Sequence, residues 1–348
     1  MRTLIINKDW PKVSVLYTDP TLIIKNLCRE FSSDIACDYV ENDFEDILMI
    51  LQPAVCMTAD TIRDFISAGI PAKLKSGNDT VAIFMPLSYH SRIDIHDIDE
   101  EQLKTFYLPA EESFCATDAM NTYLCNETLR NRINEQLLNK GVYIADVATA
   151  FIAPFVQIEE GATILPNCQI YGLSTIKKGA VIGPNAVISD SCIGENTKIN
   201  ASQVFESSVG CDTTVGPFAY IRPKSDIGDN VKIGDYVEIK KSTIGNGTKI
   251  SHFAYIGDSE IGSKVNFSCG AITVNYDGKN KYKTKVGDNC FIGCNVNLVA
   301  PVEIGDGAFV AAGSTVTENV PPDALTVARS RQYTKADWAK KRREDGKL

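Results

Sequence analysis

Aliphatic residues recur at every sixth position over the second half of the chain, and Gly follows many of them. The positions are Ile152, Ile158, Ile164, Ile170, Ile176, Ile182, Ile188, Val215, Ile221, Ile227, Ile233, Ile239, Val286, Ile292, Leu298, Ile304, Val310 and Val316. Neither an amphipathic helix nor an alternating strand has this period, which is typical of a parallel β-helix with one strand and one corner per hexapeptide. Residues 152–322 therefore predict a left-handed parallel β-helix of about nine triangular coils.

The corners of this repeat are expected to hold its glycines and cysteines. Gly follows the aliphatic residue at Ile182-Gly183, Ile233-Gly234 and Ile304-Gly305. We expect positive φ there, which a residue without Cβ adopts at little cost. Five cysteines of the repeat are expected to be small buried side chains: Cys168, Cys192, Cys269, Cys290 and Cys294.

The period breaks at residues 273–283, a polar, aromatic and basic segment between two regular blocks. A regular β-helix has no deep pocket, and function commonly lies on loops that a rigid scaffold carries. The break is therefore a candidate site. The alternative is a tolerated surface insertion.

Residues 1–110 lack the period and mix strand-like runs (3–6, 81–85) with helix-like segments (21–31, 58–68), which predicts a small α/β unit. Residues 120–140 then predict an amphipathic helix that ends at Gly141. Its apolar face would be Leu124, Leu129, Ile133 and Leu137.

Composition narrows the class of protein. The 348 residues carry a net charge of −9, which argues against a nucleic-acid partner. No apolar run is long enough to span a membrane, so no membrane partner is expected. Eleven cysteines without CxxC spacing or paired His ligands indicate reduced thiols in a cytoplasmic protein, with no disulfide framework and no metal site.

A series of motifs from residue 216 to the C-terminus resembles one family. The segments are residues 216–223, 236–241, 251–258, 265–266, 275–278 with Lys281, 298–301, 311–314 and 327–329. Together they resemble the acetyltransferase half of the bacterial bifunctional enzyme that couples glucosamine-1-phosphate N-acetyltransferase with N-acetylglucosamine-1-phosphate uridylyltransferase. With the linking helix, the resemblance covers about two thirds of the chain.

The N-terminal third resembles a reduced version of the other half. Residues 11–13 and 57–62 are similar to segments of its nucleotidyltransferase domain. The Gly-rich nucleotide loop is missing, however, and residues 52–55 stand where a Gly-Asp pair is expected. We therefore expect a degenerate nucleotidyltransferase-like α/β domain (1–115) without uridylyl transfer, a linker helix (116–150), the β-helix acetyltransferase domain (151–325) and a tail that covers the cofactor site (326–348).

The resemblance implies attack of a sugar amine on the thioester of acetyl-CoA. The amine sheds a proton, and His, with an ordinary pKa of about 6.5, suits the general base. His252 matches the base of the family; the other two histidines, His90 and His96, precede the repeat. The alternative is a solvent-exposed corner His without a catalytic role.

The resemblance also implies the substrate contacts. Three cations match ligands of the sugar phosphate: Arg222, Lys240 and Lys281. Residues that would orient the sugar are Tyr255, Asn266, Asn275 and Tyr276. Asn275 or a backbone N–H is also a candidate to stabilise the developing oxyanion.

For acetyl-CoA, the matching positions are Cys269, Cys294, Ala312, Arg329, Lys335 and Trp338. Cys269 stands where the family commonly has Ala, and Cys294 where it commonly has Ser. A thiol is a poor hydrogen-bond donor, so a contact through the Ser hydroxyl would be weakened here. The family packs three β-helices around a threefold axis, which implies a homotrimer with sites shared between subunits.

The leading interpretation is therefore a glucosamine-1-phosphate N-acetyltransferase on the route to UDP-N-acetylglucosamine and peptidoglycan precursors, with no metal required for acetyl transfer. Enzymes with a hexapeptide β-helix transfer acyl groups to many different acceptors, so an acyltransferase for another amino-sugar phosphate is one alternative. A non-catalytic regulatory homologue and a still-bifunctional enzyme are the others.

Overall fold

A computed structural model describes residues 1–6, 10, 12–32, 34–36, 46–87 and 98–348. Pro11, His90 and His96 lie outside these ranges. The chain divides into two compact units, Met1–Asp212 and Thr213–Leu348. The fold class is the one that the sequence predicts, an α/β region followed by a left-handed parallel β-helix.

The first unit begins with a six-stranded mixed sheet. Its strands, in spatial order, are Asp34–Ala36, Arg2–Ile5, Ile47–Ile50, Asp79–Met85, Ala72–Ser76 and Lys104–Tyr107. Asp79–Met85 is antiparallel to both of its neighbours, and the other pairs are parallel. The strand Ile47–Ile50 is buried along its whole length, so apolar side chains lie on both faces of the sheet.

Two short helices and two 3-10 turns accompany this sheet. Helix Pro20–Cys28 begins after Asp19, whose carboxylate accepts a hydrogen bond from the backbone N–H of Thr21. Helix Ala59–Ser67 begins after Thr58, whose hydroxyl accepts from the N–H of Thr61. The 3-10 turns are Glu100–Gln102 and Ala110–Glu112. Both helices overlap the predicted segments.

A 21-residue helix, Ala119–Asn139, follows where a linking helix is predicted. Asp118 caps its N-terminus, and Gly141 after its end has a φ of 85°, as expected for a C-terminal cap. Leu129 and Leu137 are buried, whereas Leu124 and Ile133 are half-buried. Cys125 and Leu129 join the apolar core of the α/β region, so the helix is part of that core.

The repeat starts in the same unit. Its strands there are Tyr143–Ile144, Phe151–Ile152, Gln157–Ile158, Thr163–Ile164, Gln169–Tyr171, Thr175–Ile176, Val181–Ile182, Val187–Ser189, Cys192–Ile193, Lys198–Ile199, Gln203–Phe205 and Ser208–Val209. Within this unit, equivalent strands of neighbouring coils pair in parallel, as Ile164 does with Ile182.

The second unit continues the repeat. Its strands are Thr214–Val215, Tyr220–Ile221, Asp226–Ile227, Lys232–Lys240, Thr243–Ile244, Lys249–Gly257, Ser259–Ile261, Asn266–Phe267, Ile272–Val274, Thr284–Val286, Phe291–Ile292, Asn297–Val299, Val302–Ile304, Phe309–Val310, Thr315–Val316 and Leu325–Thr326. Helix Trp338–Glu344 ends the chain. Every period-six aliphatic residue is at most 9% exposed, which confirms that these side chains point inward.

The glycines after the aliphatic residues differ from the expectation. Gly183 has a positive φ of 105°, as expected. Gly234 and Gly305 do not have positive φ. A Cβ on Gly234 would lie 1.8 Å from the carbonyl oxygen of Ser251, one coil away. Close approach of the next coil, not backbone conformation, therefore requires Gly at this position.

The cysteine expectation is partly wrong. Cys168 and Cys290 are buried, but Cys192, Cys269 and Cys294 are exposed, because their side chains point away from the coil. The ten cysteines in the described ranges are free thiols. Within the same ranges, no helix has the length and apolar character needed to cross a bilayer.

Candidate active site

Two long strands carry the centre of the site. Most strands of the repeat have two or three residues, but Lys232–Lys240 and Lys249–Gly257 have nine each and continue through a corner. They pair in parallel and in register, so Asp235 lies opposite His252, and Glu238 lies opposite Tyr255. Outward side chains on both strands are therefore held at neighbouring positions.

His252 forms a hydrogen bond with the residue opposite it on the neighbouring coil. Its Nδ1 lies 3.0 Å from Oδ1 of Asp235, and the two side chains are 63% and 43% exposed. The hydrogen bond to His252 is the main cause that lowers the pKa of Asp235, so this carboxyl stays ionised. The expected corner His thus has a carboxylate partner that sequence reasoning missed.

Three aromatic side chains flank this pair. Phe218, Tyr236 and Phe253 are 59%, 61% and 63% exposed, and each has positive φ. The rings of Phe218 and Tyr236 stack with centroids 5.6 Å apart. Bulky residues rarely adopt positive φ, so this corner combines backbone strain with an exposed apolar surface.

Arg222 lies one coil below Glu238 and pairs with it. Its Nη1 donates to Oε1 of Glu238 at 2.7 Å, which raises the pKa of the guanidinium. The guanidinium also lies 5.8 Å from the ring centre of Tyr220. This pairing with Glu238 orients the guanidinium of Arg222, whose planar fork suits an anion such as a phosphate.

Asp258 is the acceptor at the centre of the cationic part of the site. It is 9% exposed and accepts a hydrogen bond from Nδ2 of Asn275 at 2.6 Å. The Nζ atoms of Lys240 and Lys241 lie 3.7 and 3.6 Å from its carboxylate oxygens. One buried carboxylate therefore positions two lysines and the first residue of the loop.

The loop at the break in the repeat is an ordered turn. Tyr276 and Lys281 form an isolated antiparallel bridge, and Tyr282 N–H donates to the carbonyl oxygen of Asn275 at 2.9 Å. The backbone N–H groups of Lys279 and Asn280 donate to Asp277. The turn brings Lys281 back to Lys240, and the side-chain hydrogen bond with Lys240, followed by its charge, lowers the pKa of Lys281.

Tyr255 completes this cluster. A Cβ on Gly257 would lie 2.4 Å from the hydroxyl of Tyr255 and 2.8 Å from Nδ2 of Asn275. Both polar groups therefore converge over Gly257, which has no side chain to block them. Arg222, Lys240, Tyr255, Asn275 and Lys281, expected as substrate ligands, thus lie around one region of the surface.

Two other expected sugar contacts, Tyr276 and Asn266, use their side chains in local hydrogen bonds. The hydroxyl of Tyr276 donates to the carbonyl oxygen of Gly278 at 2.6 Å, within its own turn. Asn266 pairs with Lys249, on the strand segment before the His252 corner, whereas Tyr255 follows that corner. Its Nδ2 donates to Oγ of Ser268 at 3.0 Å.

The expected acetyl-CoA positions form a line along successive corners. Backbone hydrogen bonds of 2.7 to 2.9 Å run from Gly270 to Phe253, from Asn295 to Cys269 and from Gly313 to Cys294. Arg329 comes next, since a Cβ on Gly313 would lie 3.5 Å from its Cδ. Four coil steps of about 4.8 Å separate Arg329 from the coil of His252, or about 19 Å.

Cys269, Cys294, Ala312 and Arg329 all lie on this line and are exposed. Lys335 and Trp338 are also exposed, on the C-terminal tail. The guanidinium of Arg342 lies 5.1 Å from the ring centre of Trp338. Among the contacts of the described residues, none brings Lys335 or Trp338 to the corner line.

Sequence reasoning assigned no role to three carboxylates: Asp235, Glu238 and Asp258. A signal for them existed, because a coil without the inserted loop spans 16 to 18 residues. Asp235 precedes His252 by 17 positions, Asp258 precedes Asn275 by 17, and Arg222 precedes Glu238 by 16. These partners therefore lie one coil before or one coil after the polar candidates that they contact.

The arrangement can bind an anion beside an imidazole that has a carboxylate partner. Within the described part of the chain, no cluster of three or more His, Cys, Asp or Glu side chains could hold a metal ion. The chemistry available from these residues is therefore proton transfer, hydrogen bonding and charge neutralisation.

Comparisons with known proteins agree with the repeat and with the resemblance. The family model described as Bacterial transferase hexapeptide (six repeats) matches residues 206–241 and 283–318. Bifunctional protein GlmU of Halalkalibacterium halodurans is 48% identical over 232 residues, which is 67% of this chain and 51% of that protein. Its counterpart in Clostridium novyi is 52% identical over 216 residues, 62% of this chain and 47% of that protein.

These matches confirm the resemblance to the acetyltransferase half of the bifunctional family, and the chain spans about half the length of the curated relatives it matches. Among solved structures, UDP-N-acetylglucosamine acyltransferase of Arabidopsis is 20% identical, with a TM-score of 0.33. That match covers 57% of this chain and 77% of the other.

Proposed function

We propose that the chain is a glucosamine-1-phosphate N-acetyltransferase that uses acetyl-CoA. The observation that carries this proposal is the position of the His252–Asp235 pair. The pair lies on the two strands that also carry Lys240 and Tyr255 of the cationic cluster, and the line of corners that leads to Arg329 begins at Phe253, next to His252. A base thus stands where an anionic amine substrate and an extended thioester substrate would meet.

In the proposed reaction, the neutral amine nitrogen attacks the carbonyl carbon of the thioester. A C–N bond forms, the carbonyl oxygen becomes an oxyanion, and the nitrogen passes a proton to His252. Collapse of the oxyanion breaks the C–S bond, and the leaving thiolate takes the proton from the imidazolium. Asn275 remains the candidate oxyanion donor, because Nδ2 has a second N–H besides the one that Asp258 accepts.

The proposed phosphate site is the cluster around Tyr255. Lys240 lies close enough to lower the pKa of Lys281, first through a side-chain hydrogen bond and then through its charge, so an anion between the two lysines would relieve their repulsion. Arg222 would supply a fork, and the hydroxyl of Tyr255 and the amide of Asn275 would bind neutral oxygens. A dianionic sugar 1-phosphate fits this donor set better than an uncharged acceptor does.

The proposed path of acetyl-CoA follows the corner line. Small or absent side chains at Gly270, Ala312 and Gly313 leave the backbone open, and Arg329 at its far end would bind a phosphate of CoA. Cys269 and Cys294 lie along this path. Lys335 and Trp338 would reach acetyl-CoA only if the C-terminal tail folds over the cofactor bound to its own subunit or over the cofactor bound to a neighbouring subunit.

We also propose a homotrimer. Phe218, Tyr236 and Phe253 are exposed apolar side chains near the His252 corner, and burial of such side chains favours association. A second copy seated there would cover the base and enclose both substrates. The α/β region (1–115) is proposed to lack uridylyl transfer, and the ten free thiols support a cytoplasmic location.

The test is an assay of CoA thiol release. With glucosamine-1-phosphate and acetyl-CoA, we expect thiol release that depends on both; glucosamine without phosphate should be a far poorer acceptor. No release with any amino-sugar phosphate would overturn the proposal, and faster release with galactosamine-1-phosphate would reassign the acceptor. Pyrophosphate formation after addition of UTP, N-acetylglucosamine-1-phosphate and magnesium would show that the α/β region keeps its activity.

A further inference from the structure

We propose that Asp235 is a positioning residue that holds His252 with its proton on Nδ1, so that Nε2 presents the lone pair that accepts the proton of the substrate amine. The inference rests on the proposed function for its catalytic meaning. It adds a residue to the site that the matched motifs do not include.

The backbone fixes the two side chains in register. Asp235 and His252 are partners in the parallel pairing of Lys232–Lys240 with Lys249–Gly257. Just before them, a Cβ on Gly234 would lie 1.8 Å from the carbonyl oxygen of Ser251, so the two coils approach closely at this corner. Neither strand can shift there without losing its ladder of hydrogen bonds, and the 3.0 Å contact follows from this geometry.

The chemistry of the pair decides the direction of the hydrogen bond. An ionised carboxylate has acceptors but no donor, so Nδ1 of His252 must be the donor. In a neutral imidazole, a proton on Nδ1 leaves Nε2 without one, and Nε2 is then the basic nitrogen. The hydrogen bond also fixes the ring orientation, which aims Nε2 away from the strand that carries Asp235.

Glu238, the other carboxylate on the same strand, is engaged elsewhere. Oε1 of Glu238 accepts from Arg222 at 2.7 Å, whereas Nδ1 of His252 is 3.0 Å from Asp235. The structure therefore separates two carboxylate roles on one strand: Glu238 orients a cation of the phosphate cluster, and Asp235 orients the base.

Solvent exposure limits how the pair can act. The side chains of His252 and Asp235 are 63% and 43% exposed, so water screens much of their Coulomb attraction. Asp235 is thus assigned to tautomer and orientation, not to strong stabilisation of the imidazolium. The expected kinetic effect is smaller than the loss of the base itself.

The first experiment measures the tautomer directly. Isotope-labelled histidine is incorporated into the full chain, and the imidazole nitrogen shifts are recorded by NMR at a pH where titration shows the ring to be neutral. The spectrum of His252→Ala assigns the His252 signals among the three histidines. We expect a protonated Nδ1 and a bare Nε2; a protonated Nε2 in the wild-type protein would overturn the proposal.

The second experiment measures the role. We expect Asp235→Ala to lower kcat by about tenfold and to leave both KM values within about twofold of the wild-type values. The size is the lower end of the loss in activity when a histidine loses the partner that orients it. The tautomer should move towards protonated Nε2. Glu318→Ala, an exposed carboxylate elsewhere in the same unit, should change neither.

An unchanged kcat in Asp235→Ala would overturn the proposal, as would a loss confined to KM. If the variant does not fold, the wild-type tautomer still decides the contact. If the wild-type protein releases no thiol with any amino-sugar phosphate, the proposed function fails, and the NMR result alone then reports whether Asp235 orients His252.

Discussion

Nδ2 of Asn275 donates a 2.6 Å hydrogen bond to Oδ2 of Asp258, one coil below it. Both side chains are buried, at 7% and 9% exposure, and the bond ties the start of the loop at residues 275–282 to the β-helix. Lys240 and Lys241 lie within 4 Å of the same carboxylate. The loop that carries Lys281 is thereby fixed relative to the strand that carries Lys240.

This bond should be measurable as a coupling energy. Asp258→Ala leaves Nδ2 of Asn275 buried without its partner, so we expect a loss of about 2 to 3 kcal/mol in the free energy of unfolding. In a double-mutant cycle with Asn275→Ala, the loss in the double variant should be smaller than the sum of the two single losses by about 1 to 3 kcal/mol. Urea denaturation measures all three variants, and strict additivity would show that the contact contributes nothing.

Lys281 should contribute to sugar-phosphate affinity. Lys281→Met is expected to raise KM for glucosamine-1-phosphate by about tenfold, since a charge-assisted hydrogen bond contributes about 1.5 kcal/mol at an exposed site. KM for acetyl-CoA should not change. Lys279→Met, in the same exposed turn, is the matched control and should behave as wild type. Equal effects of the two substitutions would indicate general charge attraction instead of a specific ligand.

The two lysines should also set the alkaline limb of the pH profile. Lys240 lowers the pKa of Lys281, so in the free protein Lys281 loses its charge at lower pH than an ordinary lysine. The value of kcat/KM for the sugar phosphate, which reports the free enzyme, should therefore fall at that lower pH. Lys240→Met reduces overall activity, but it should move the alkaline limb to higher pH; a limb that stays in place would exclude Lys281 as its origin.

Arg329 should act on acetyl-CoA alone. Arg329→Ala is expected to raise KM for acetyl-CoA by about tenfold through loss of a phosphate contact, with KM for the sugar phosphate unchanged. Arg331→Ala is the control, an exposed arginine two residues further on. If Arg329 binds the ribose phosphate of CoA, the variant and the wild type should bind acetyl-dephospho-CoA equally well. A preserved difference would place the contact elsewhere.

The sequence predicts the β-helix well because one physical rule generates it. An inward aliphatic residue must meet its equivalent in the next coil, and a fixed period satisfies this along the whole repeat. Gly234 shows the limit of the same reasoning. Its position is predictable, but the reason for Gly, close approach of Ser251, depends on how tightly two coils pack.

The candidate site is only partly predictable. Its cations and His252 come from resemblance, since single charges on a repeat surface carry no signal of their own. The partners Asp235 and Asp258 depend on the number of residues in one coil, which varies between 16 and 18 here and reaches 25 where the loop is inserted. Exposure of Cys269 and Cys294 likewise depends on which side of a corner faces outward, and the period alone does not fix that.

The thiol-release rates of the wild-type protein and of His252→Ala, measured side by side with saturating glucosamine-1-phosphate and acetyl-CoA, test the central claim most directly. Loss of a general base should lower kcat by about a hundredfold or more. Lys264→Ala, at an exposed position in the same unit, should keep the wild-type rate. A His252→Ala protein that folds, assembles as the wild type does and releases thiol at the wild-type rate would contradict the account.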